Sequence, residues 1–151
     1  YALLTIHRAH STRSMESLQE ILNYVDNYAQ QNNLKIVFPV HPRTKSMLKD
    51  SSLSDRFKCL DPIGYFEMQS LLKDAVCVLT DSGGVQKEAY FHKIPCITLR
   101  EETEWVETIS SGWNRLWKSK DYEPRKNISD YGTGHASEKI IEQIETFLND
   151  I

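Results

Sequence analysis

The chain has 151 residues, of which 40% are hydrophobic and 26% charged, and its 18 Lys+Arg against 21 Asp+Glu give a formal net charge of -3. This balance fits one globular domain and argues against duplex nucleic acid as a partner, because binding to a phosphate backbone needs a surplus of cations. No apolar run approaches the ~20 residues that span a bilayer, so the sequence also argues against a membrane partner.

Short apolar runs alternate with segments of helical periodicity along most of the chain. The predicted elements are, in chain order, a strand at Tyr1–Ile6, a helix capped by Ser14 and ended by Asn32, a strand at Lys35–Val40, a short helix at Lys45–Lys49, a strand at Phe57–Leu60, a helix at Tyr65–Lys73, a strand at Ala75–Thr80, a helix at Val85–His92, a strand at Pro95–Leu99, a short strand at Asn114–Trp117 and a last helix at Ala136–Leu148.

This alternation predicts an α/β fold in which a Rossmann-like parallel sheet carries helices on both faces. We expect a single Rossmann-like nucleotide-sugar-binding domain over residues 1–151. Because the chain starts at Tyr1, already inside an apolar run, we also expect it to be a fragment that lacks an N-terminal domain.

Polar side chains follow four of the predicted strands. In an open parallel sheet the ligand crevice lies beyond the carboxyl ends of the strands, where the loops and helix N-termini face one side. The residues are His7 and Arg8 after the first strand, His41 after the second, Asp81 to Gly84 after the fourth and Arg100 after the fifth. We expect them to meet at one edge of the sheet.

The turn from Ser82 to Gly84 is the strongest single motif. Two glycines permit close approach of a ligand to the backbone, and the following helix begins with unpaired N–H groups that favour a phosphate. The alternative is a plain strand-to-helix turn in which Ser82 serves only as an N-cap. Glu88 lies about a turn and a half into that helix and is a candidate acceptor for ribose hydroxyls; its alternative is a solvated surface carboxylate.

His7 is a candidate acid or base, because imidazole changes charge near neutral pH. The alternative is a histidine that only completes a strand end. Further ligands that would join His7, His10 and His41 in a metal site are not evident, and we expect neither a metal nor a cofactor.

Three cysteines in short apolar runs favour buried thiols in a reducing cytoplasm, namely Cys59, Cys77 and Cys96.

Six motifs occur in order along the chain. They are Thr5 to Arg8, Phe38 to Pro42, Asp61 to Tyr65, Thr80 to Ala89, Arg100 to Glu107 and Tyr131 to Ala136. Together they resemble the C-terminal half of the non-hydrolysing UDP-N-acetylglucosamine 2-epimerases. The resemblance implies half of a glycosyltransferase-B type fold, and a reaction that inverts C2 of a UDP-2-acetamido sugar by UDP elimination and re-addition. It places the catalytic carboxylates in the absent half, so the isolated chain should be inactive.

The resemblance also implies the roles of the candidate residues. The Ser82–Gly84 turn would hold the diphosphate, Glu88 the ribose, and the Ile63 backbone and Met68 side chain the uracil. His7 matches the family's active-site histidine. The complete substrate-binding set is Arg8, His41, Ile63, Met68, Ser82, Gly83, Gly84, Glu88 and Arg100.

One departure from the family pattern bears on the sugar. Glu104-Trp105-Val106-Glu107 stands where the family commonly reads Glu-Arg-Pro-Glu, so Trp105 replaces an arginine that contacts the substrate. This form resembles the branch that includes the UDP-2,3-diacetamido-2,3-dideoxyglucuronate 2-epimerases, which keeps that sugar open. Two further functions stay open, namely a glycosyltransferase-B glycosyltransferase and a non-catalytic UDP-sugar-binding module. For the complete protein we expect a cytoplasmic homodimer that serves cell-envelope polysaccharide biosynthesis.

Overall fold

Six short strands form one sheet in a computed structural model of the chain, which describes residues 1–48 and 53–149. The strands are β1 (Ala2–Thr5), β2 (Ile36–Pro39), β3 (Phe57–Leu60), β4 (Cys77–Thr80), β5 (Cys96–Thr98) and β6 (Asn114–Leu116). The helices are α1 (Met15–Gln31), α2 (Pro42–Leu48), α3 (Tyr65–Asp74), α4 (Gly83–Phe91), α5 (Val106–Ser110) and α6 (Ala136–Asn149). The strand order is β3-β2-β1-β4-β5-β6 and every pair is parallel, which confirms the predicted Rossmann-like sheet.

The residues of β1 and the residue after it show how the sheet is buried on both faces. Side chains alternate between the faces of a strand, so Ala2, Leu4 and Ile6 enter one core cluster, which also holds the apolar residues of α1. Leu3 enters the opposite cluster, which holds Leu72 of α3 and Ala89 of α4. Helices therefore pack on both faces, and the polar ends of β1 and β4 remain side by side at one edge.

Two helices begin earlier than the sequence predicts. α2 starts at Pro42 and not at Lys45. Proline suits the first helical position, because the N–H that it lacks would have no partner within the helix there. The His41 carbonyl oxygen accepts from the Lys45 N–H at 2.9 Å and so closes the first turn. α4 starts at Gly83 instead of Val85 because Ser82 is its N-cap. The predicted end of the second helix, Lys49, lies outside the described residues.

α5 was not predicted, because a helix of five residues is too short to show a periodic pattern. The prediction of buried cysteines is correct for Cys77 and Cys96 but wrong for Cys59, which is exposed. Cys59 lies on β3, one of the two edge strands of the sheet, where fewer neighbours cover the side chains. All three thiols are free.

α6 has the predicted amphipathic periodicity, but its apolar side is exposed. Exposed fractions between 53% and 66% are found for Ile140, Ile141, Ile144, Phe147 and Leu148. The periodicity thus predicts the helix correctly without specifying what it packs on. Within the described part of the chain, none of the helices combines the length and the apolar character that crossing a bilayer requires.

Candidate functional site

Asp81 joins the ends of β1 and β4. Its carboxylate is fully buried, and Oδ2 accepts from the backbone N–H groups of Arg8 at 2.8 Å and His7 at 3.1 Å. The ring atom Nδ1 of His7 lies 3.5 Å from Asp81 Oδ1. One buried carboxylate therefore fixes the turn that carries His7 and Arg8, and it also lies behind the imidazole, where it can orient the ring.

Asp81→Asn should lower the stability of the domain, because an amide replaces one acceptor oxygen by a donor that faces other N–H groups. A buried hydrogen-bonding group left without its partner costs about 1–3 kcal/mol, and we expect a loss of this size in urea unfolding. Asp55→Asn, at an exposed carboxylate, is the control and should stay within about 0.5 kcal/mol of the parent. Equal stabilities for the two variants would contradict this role of Asp81.

His41 lies beside His7, as predicted from the ends of β1 and β2. The ring centroids are 5.8 Å apart, and the rings are tilted by 37°. The backbone N–H of Arg43 donates to His41 Nδ1 at 3.2 Å, so this ring nitrogen is an acceptor. His41 is exposed, so Nε2 remains available as a donor at the edge of the sheet.

The turn before α4 has the predicted cap, but its two glycines differ. The Val85 N–H donates to Ser82 Oγ at 3.5 Å, and the Ser82 N–H donates to Thr80 Oγ1 at 2.9 Å. A Cβ at Gly84 would project into open space, with Ser82 Oγ the nearest atom at 4.0 Å. A Cβ at Gly83 would instead meet the Glu104 carboxylate. Gly84 thus offers the free approach that a ligand needs, whereas Gly83 is covered by a side chain of this chain.

Glu104 connects arginines from two different strand ends. Its Oε2 accepts from Arg100 Nη1 at 2.8 Å, and its Oε1 lies 3.5 Å from Arg8 Nη2. The backbone N–H of Glu104, and then the Arg100 and Arg8 guanidinium groups, lower the pKa of this carboxyl, so it is ionised at neutral pH. A site role for Glu104 was not predicted, because nothing in the sequence indicates that residue 104 returns to the start of α4.

Trp105 packs along α4 beside the same turn. Lys87 Nζ lies 4.3 Å from the centroid of its indole, and the loop that carries Trp105 is fastened to the helix by hydrogen bonds. The Trp105 N–H donates to Thr103 Oγ1 at 3.1 Å, and Thr103 Oγ1 donates to Oε1 of the buried Gln86 at 2.6 Å. Gln86, a buried polar residue of α4, therefore holds the loop with Glu104 and Trp105 at the start of this helix.

Glu88 is part of a contact between α3 and α4 and not a freely solvated carboxylate. Its Oε2 accepts from Gln69 Nε2 at 2.9 Å, and Gln69 Oε1 lies 2.8 Å from His92 Nε2. Met68 is half-buried against the core cluster under these helices, and Ile63 is half-buried in the turn before α3. Gln69, which belongs to none of the sequence motifs, therefore links the helix of the predicted uracil contacts to Glu88.

An open pocket lies between the turn after β1 and the loop after β5. Its volume is ≈ 690 Å³, within the range of pockets that hold small organic ligands. It is lined by Arg8, Ala9, His10, Arg100, Glu101 and Glu102. The structure thus brings the predicted residues Arg8 and Arg100 to one pocket at the carboxyl edge of the sheet.

Comparisons with known proteins identify close relatives. The model of the UDP-N-acetylglucosamine 2-epimerase family matches residues 1–145. A UDP-N-acetylglucosamine 2-epimerase homolog of Methanococcus maripaludis is 45% identical over 94% of this chain and 43% of its own length. The UDP-2,3-diacetamido-2,3-dideoxy-D-glucuronate 2-epimerase of Pseudomonas aeruginosa is 40% identical over 95% of this chain and 44% of its own length.

A solved structure matches with a TM-score of 0.81 and 35% identity: the UDP-GlcNAc 2-epimerase of Methanocaldococcus jannaschii in complex with UDP-GlcNAc and UDP. The match covers 97% of this chain and 45% of that one. This chain therefore spans less than half the length of the relatives it matches. The match agrees with the prediction that the domain is one Rossmann-like half of a glycosyltransferase-B type fold.

Proposed function

We propose, because this chain belongs to the UDP-N-acetylglucosamine 2-epimerase family, that the complete protein inverts C2 of a UDP-2-acetamido sugar, with UDP-GlcNAc as the first candidate. One observation carries the proposal: a histidine with a buried carboxylate behind it lies at the same edge as a helix start suited to a diphosphate. These two features are His7 with Asp81, and the turn from Ser82 to Gly84. Both follow from the pairing of β1 with β4.

In this proposal the binding energy comes from the nucleotide. The first N–H groups of α4 would donate to diphosphate oxygens beside Gly84, and Arg8 and Arg100 would neutralise the charge. Glu88 would accept from the ribose hydroxyls while Gln69 holds its carboxylate in place. Uracil would then lie towards the start of α3, where the turn with Ile63 and the side chain of Met68 are its proposed contacts.

The proposed reaction breaks and re-forms one C–H and one C–O bond. A base removes the proton from C2, the electron pair forms a C1–C2 double bond, and the C1–O bond breaks as UDP departs. Return of a proton to the opposite face of C2 and of UDP to C1 gives the epimer. No electrons are gained or lost overall. A protonated His7 near the glycosidic oxygen would offset the charge that develops on departing UDP, with Asp81 holding the ring.

The direct test incubates the complete protein with UDP-GlcNAc in D₂O and follows the sugar by NMR. We expect UDP-N-acetylmannosamine to form, and deuterium to enter at C2 because the proton exchanges with solvent. A glycosyltransferase would instead leave C2 unlabelled and consume the sugar only when an acceptor is present. A binding module would leave the UDP-sugar unchanged. Either of these results would overturn the proposal.

A second candidate substrate is UDP-2,3-diacetamido-2,3-dideoxyglucuronate. It is favoured by the 40% identity to the Pseudomonas aeruginosa enzyme that carries this sugar in its name, and by Trp105 in place of the family arginine. The two sugars differ at C3 and C6, so a comparison of kcat/KM for the two substrates decides between them. The substrate with the higher value is the one for which this site is built.

Glu88→Gln should weaken UDP binding by about 1–3 kcal/mol, because a hydrogen bond to a charged acceptor is lost at the ribose. Titration calorimetry with UDP and with uracil separates the causes, since uracil lacks the ribose and should bind the variant and the parent alike. Glu145→Gln, on the exposed helix α6, is the control for the loss of one negative charge. If UDP bound the Glu88→Gln variant as tightly as it binds the control, the ribose assignment would fail.

We also propose that the complete protein is a cytoplasmic homodimer that supplies precursors for cell-envelope polysaccharide. Free thiols at Cys59, Cys77 and Cys96 are in keeping with a reducing compartment. Light scattering of the complete protein tests the homodimer by its mass.

A further inference from the structure

The Glu104 carboxylate occupies the start of α4, which is the proposed diphosphate position. Its carbon Cδ lies 3.3 Å from where a Cβ of Gly83 would be, so the carboxylate packs directly on the first residue of the helix. Its two oxygens also engage Arg8 and Arg100. A negatively charged group of this chain therefore lies against the same cationic groups and helix end that a phosphate would use.

A second observation at the same place points to an absent acceptor. Trp105 Nε1 is buried and has no hydrogen-bond partner among the described residues. It lies at the same place as the Glu104 carboxylate, 3.3 Å from where a Cβ of Gly83 would be. Buried N–H groups are nearly always paired, so an unpaired one at the start of α4, on a ring that Lys87 also contacts, indicates that an acceptor oxygen can be supplied by a ligand. Glu104 leaves this donor unsatisfied even though its carboxylate is adjacent.

We propose that Glu104 is an internal competitor of the substrate: its carboxylate holds the diphosphate position in the ligand-free protein, and the diphosphate displaces it. The released arginines, Arg8 and Arg100, then bind the phosphates, and the Trp105 N–H gains its acceptor. This inference rests on the proposed function, because it assumes that the start of α4 binds a UDP-sugar.

The displacement needs only a side chain to move. Glu104 is 41% exposed and its ion pairs face solvent, where such pairs contribute little and screening is strong. The backbone on both sides stays anchored, since Thr103 is bonded to buried Gln86 and the carbonyl of Trp105 accepts from Thr108 Oγ1 at 2.6 Å. A diphosphate carries more negative charge than one carboxylate, so the exchange favours the ligand.

Glu104→Gln in the complete protein tests the competition by the sign of its effect. Removal of the charge should tighten UDP binding at least about fivefold in titration calorimetry, because a larger fraction of the protein is then ready to bind. Glu123→Gln, at an exposed carboxylate that does not line the pocket with Arg8 and Arg100, is the control for the loss of one negative charge and should change UDP affinity less than about twofold. Unchanged or weaker binding by Glu104→Gln, or equal tightening by both variants, would overturn the inference.

Trp105→Phe tests the donor, because it keeps an aromatic ring and removes the N–H. We expect UDP binding to weaken about fivefold or more, as for the loss of one hydrogen bond to a charged acceptor. The matched control is Trp117→Phe: Nε1 of Trp117 is also buried without a partner among the described residues, but this ring packs on Tyr24 of α1. Equal effects of the two substitutions on UDP affinity would remove Trp105 from the site.

Gly84→Val separates the failure of this inference from the failure of the proposed function. If Gly84→Val abolishes UDP binding but Glu104→Gln does not tighten it, UDP binds at the start of α4 and only the competition is wrong. If Gly84→Val leaves UDP binding unchanged, the ligand binds elsewhere and the proposed function fails together with this inference.

Discussion

His7→Asn in the complete protein should lower kcat by about 10²- to 10⁴-fold, the range typical of a lost acid–base group, while UDP affinity changes little. Asparagine keeps the backbone N–H that donates to Asp81, so the turn after β1 should persist. What is lost is the imidazole at 3.5 Å from Asp81 Oδ1, and with it the ability to carry a proton near the departing UDP. Steady-state turnover and UDP titration on the same preparation measure the two quantities.

A purely structural role for His7 predicts a different pattern. The variant would then unfold more easily, but the turnover of each folded molecule would be nearly unchanged. Exchange of the C2 proton with solvent, measured beside thermal unfolding, distinguishes the two roles. Normal C2 exchange in a destabilised His7→Asn protein would remove His7 from the catalytic residues and leave it as a residue that completes the end of β1.

Gly84→Val should weaken UDP binding by at least about 100-fold, or about 2.7 kcal/mol, because the branched side chain would fill the space that the phosphates need. The fold should survive the change. Gly84 lies in the first turn of α4 without a positive φ, and a Cβ there approaches no atom closer than Ser82 Oγ at 4.0 Å. Calorimetric titration with UDP measures the effect, and thermal unfolding verifies the fold.

Gly84→Ala provides a graded control at the same position. One methyl group should produce a smaller loss of UDP affinity than valine, and the unfolding temperature should stay the same or rise, since glycine is a poor helix former. If the cause is steric, UDP affinity should be highest with glycine, lower with alanine and lowest with valine at position 84. If valine and alanine reduced the affinity equally, or if neither did, the diphosphate would not lie against Gly84.

The elements that position the site were predictable from the sequence, because their signals are local. Ser82 is the N-cap of α4, as its place before two glycines indicates, and the candidate residues after β1, β2, β4 and β5 follow from the ends of apolar runs. The parallel sheet then brings Arg8 and Arg100 to one pocket without further information. Local sequence patterns were therefore sufficient to predict those site residues that the order of the parallel strands alone brings together.

The remaining features depend on contacts between distant segments. That Glu104 covers Gly83 depends on a loop that returns across the start of α4, held by the bond between Thr103 and Gln86. Asp81 belongs to the motif from Thr80 to Ala89. It can hold the turn after β1 only because β1 and β4 are neighbours in the sheet. No spacing rule relates these residues, because their contacts are set by tertiary packing.

The hydrogen bonds of Asp81 have a consequence for folding. They join residues 73 and 74 positions apart, because β2 and β3 lie between β1 and β4 along the chain. The entropy of closing so long a loop opposes this pairing until many contacts form together. A partly folded chain with only β1, β2 and β3 in place would therefore lack the anchored His7 turn. The anchored turn that carries His7 therefore depends on the native pairing of β1 with β4.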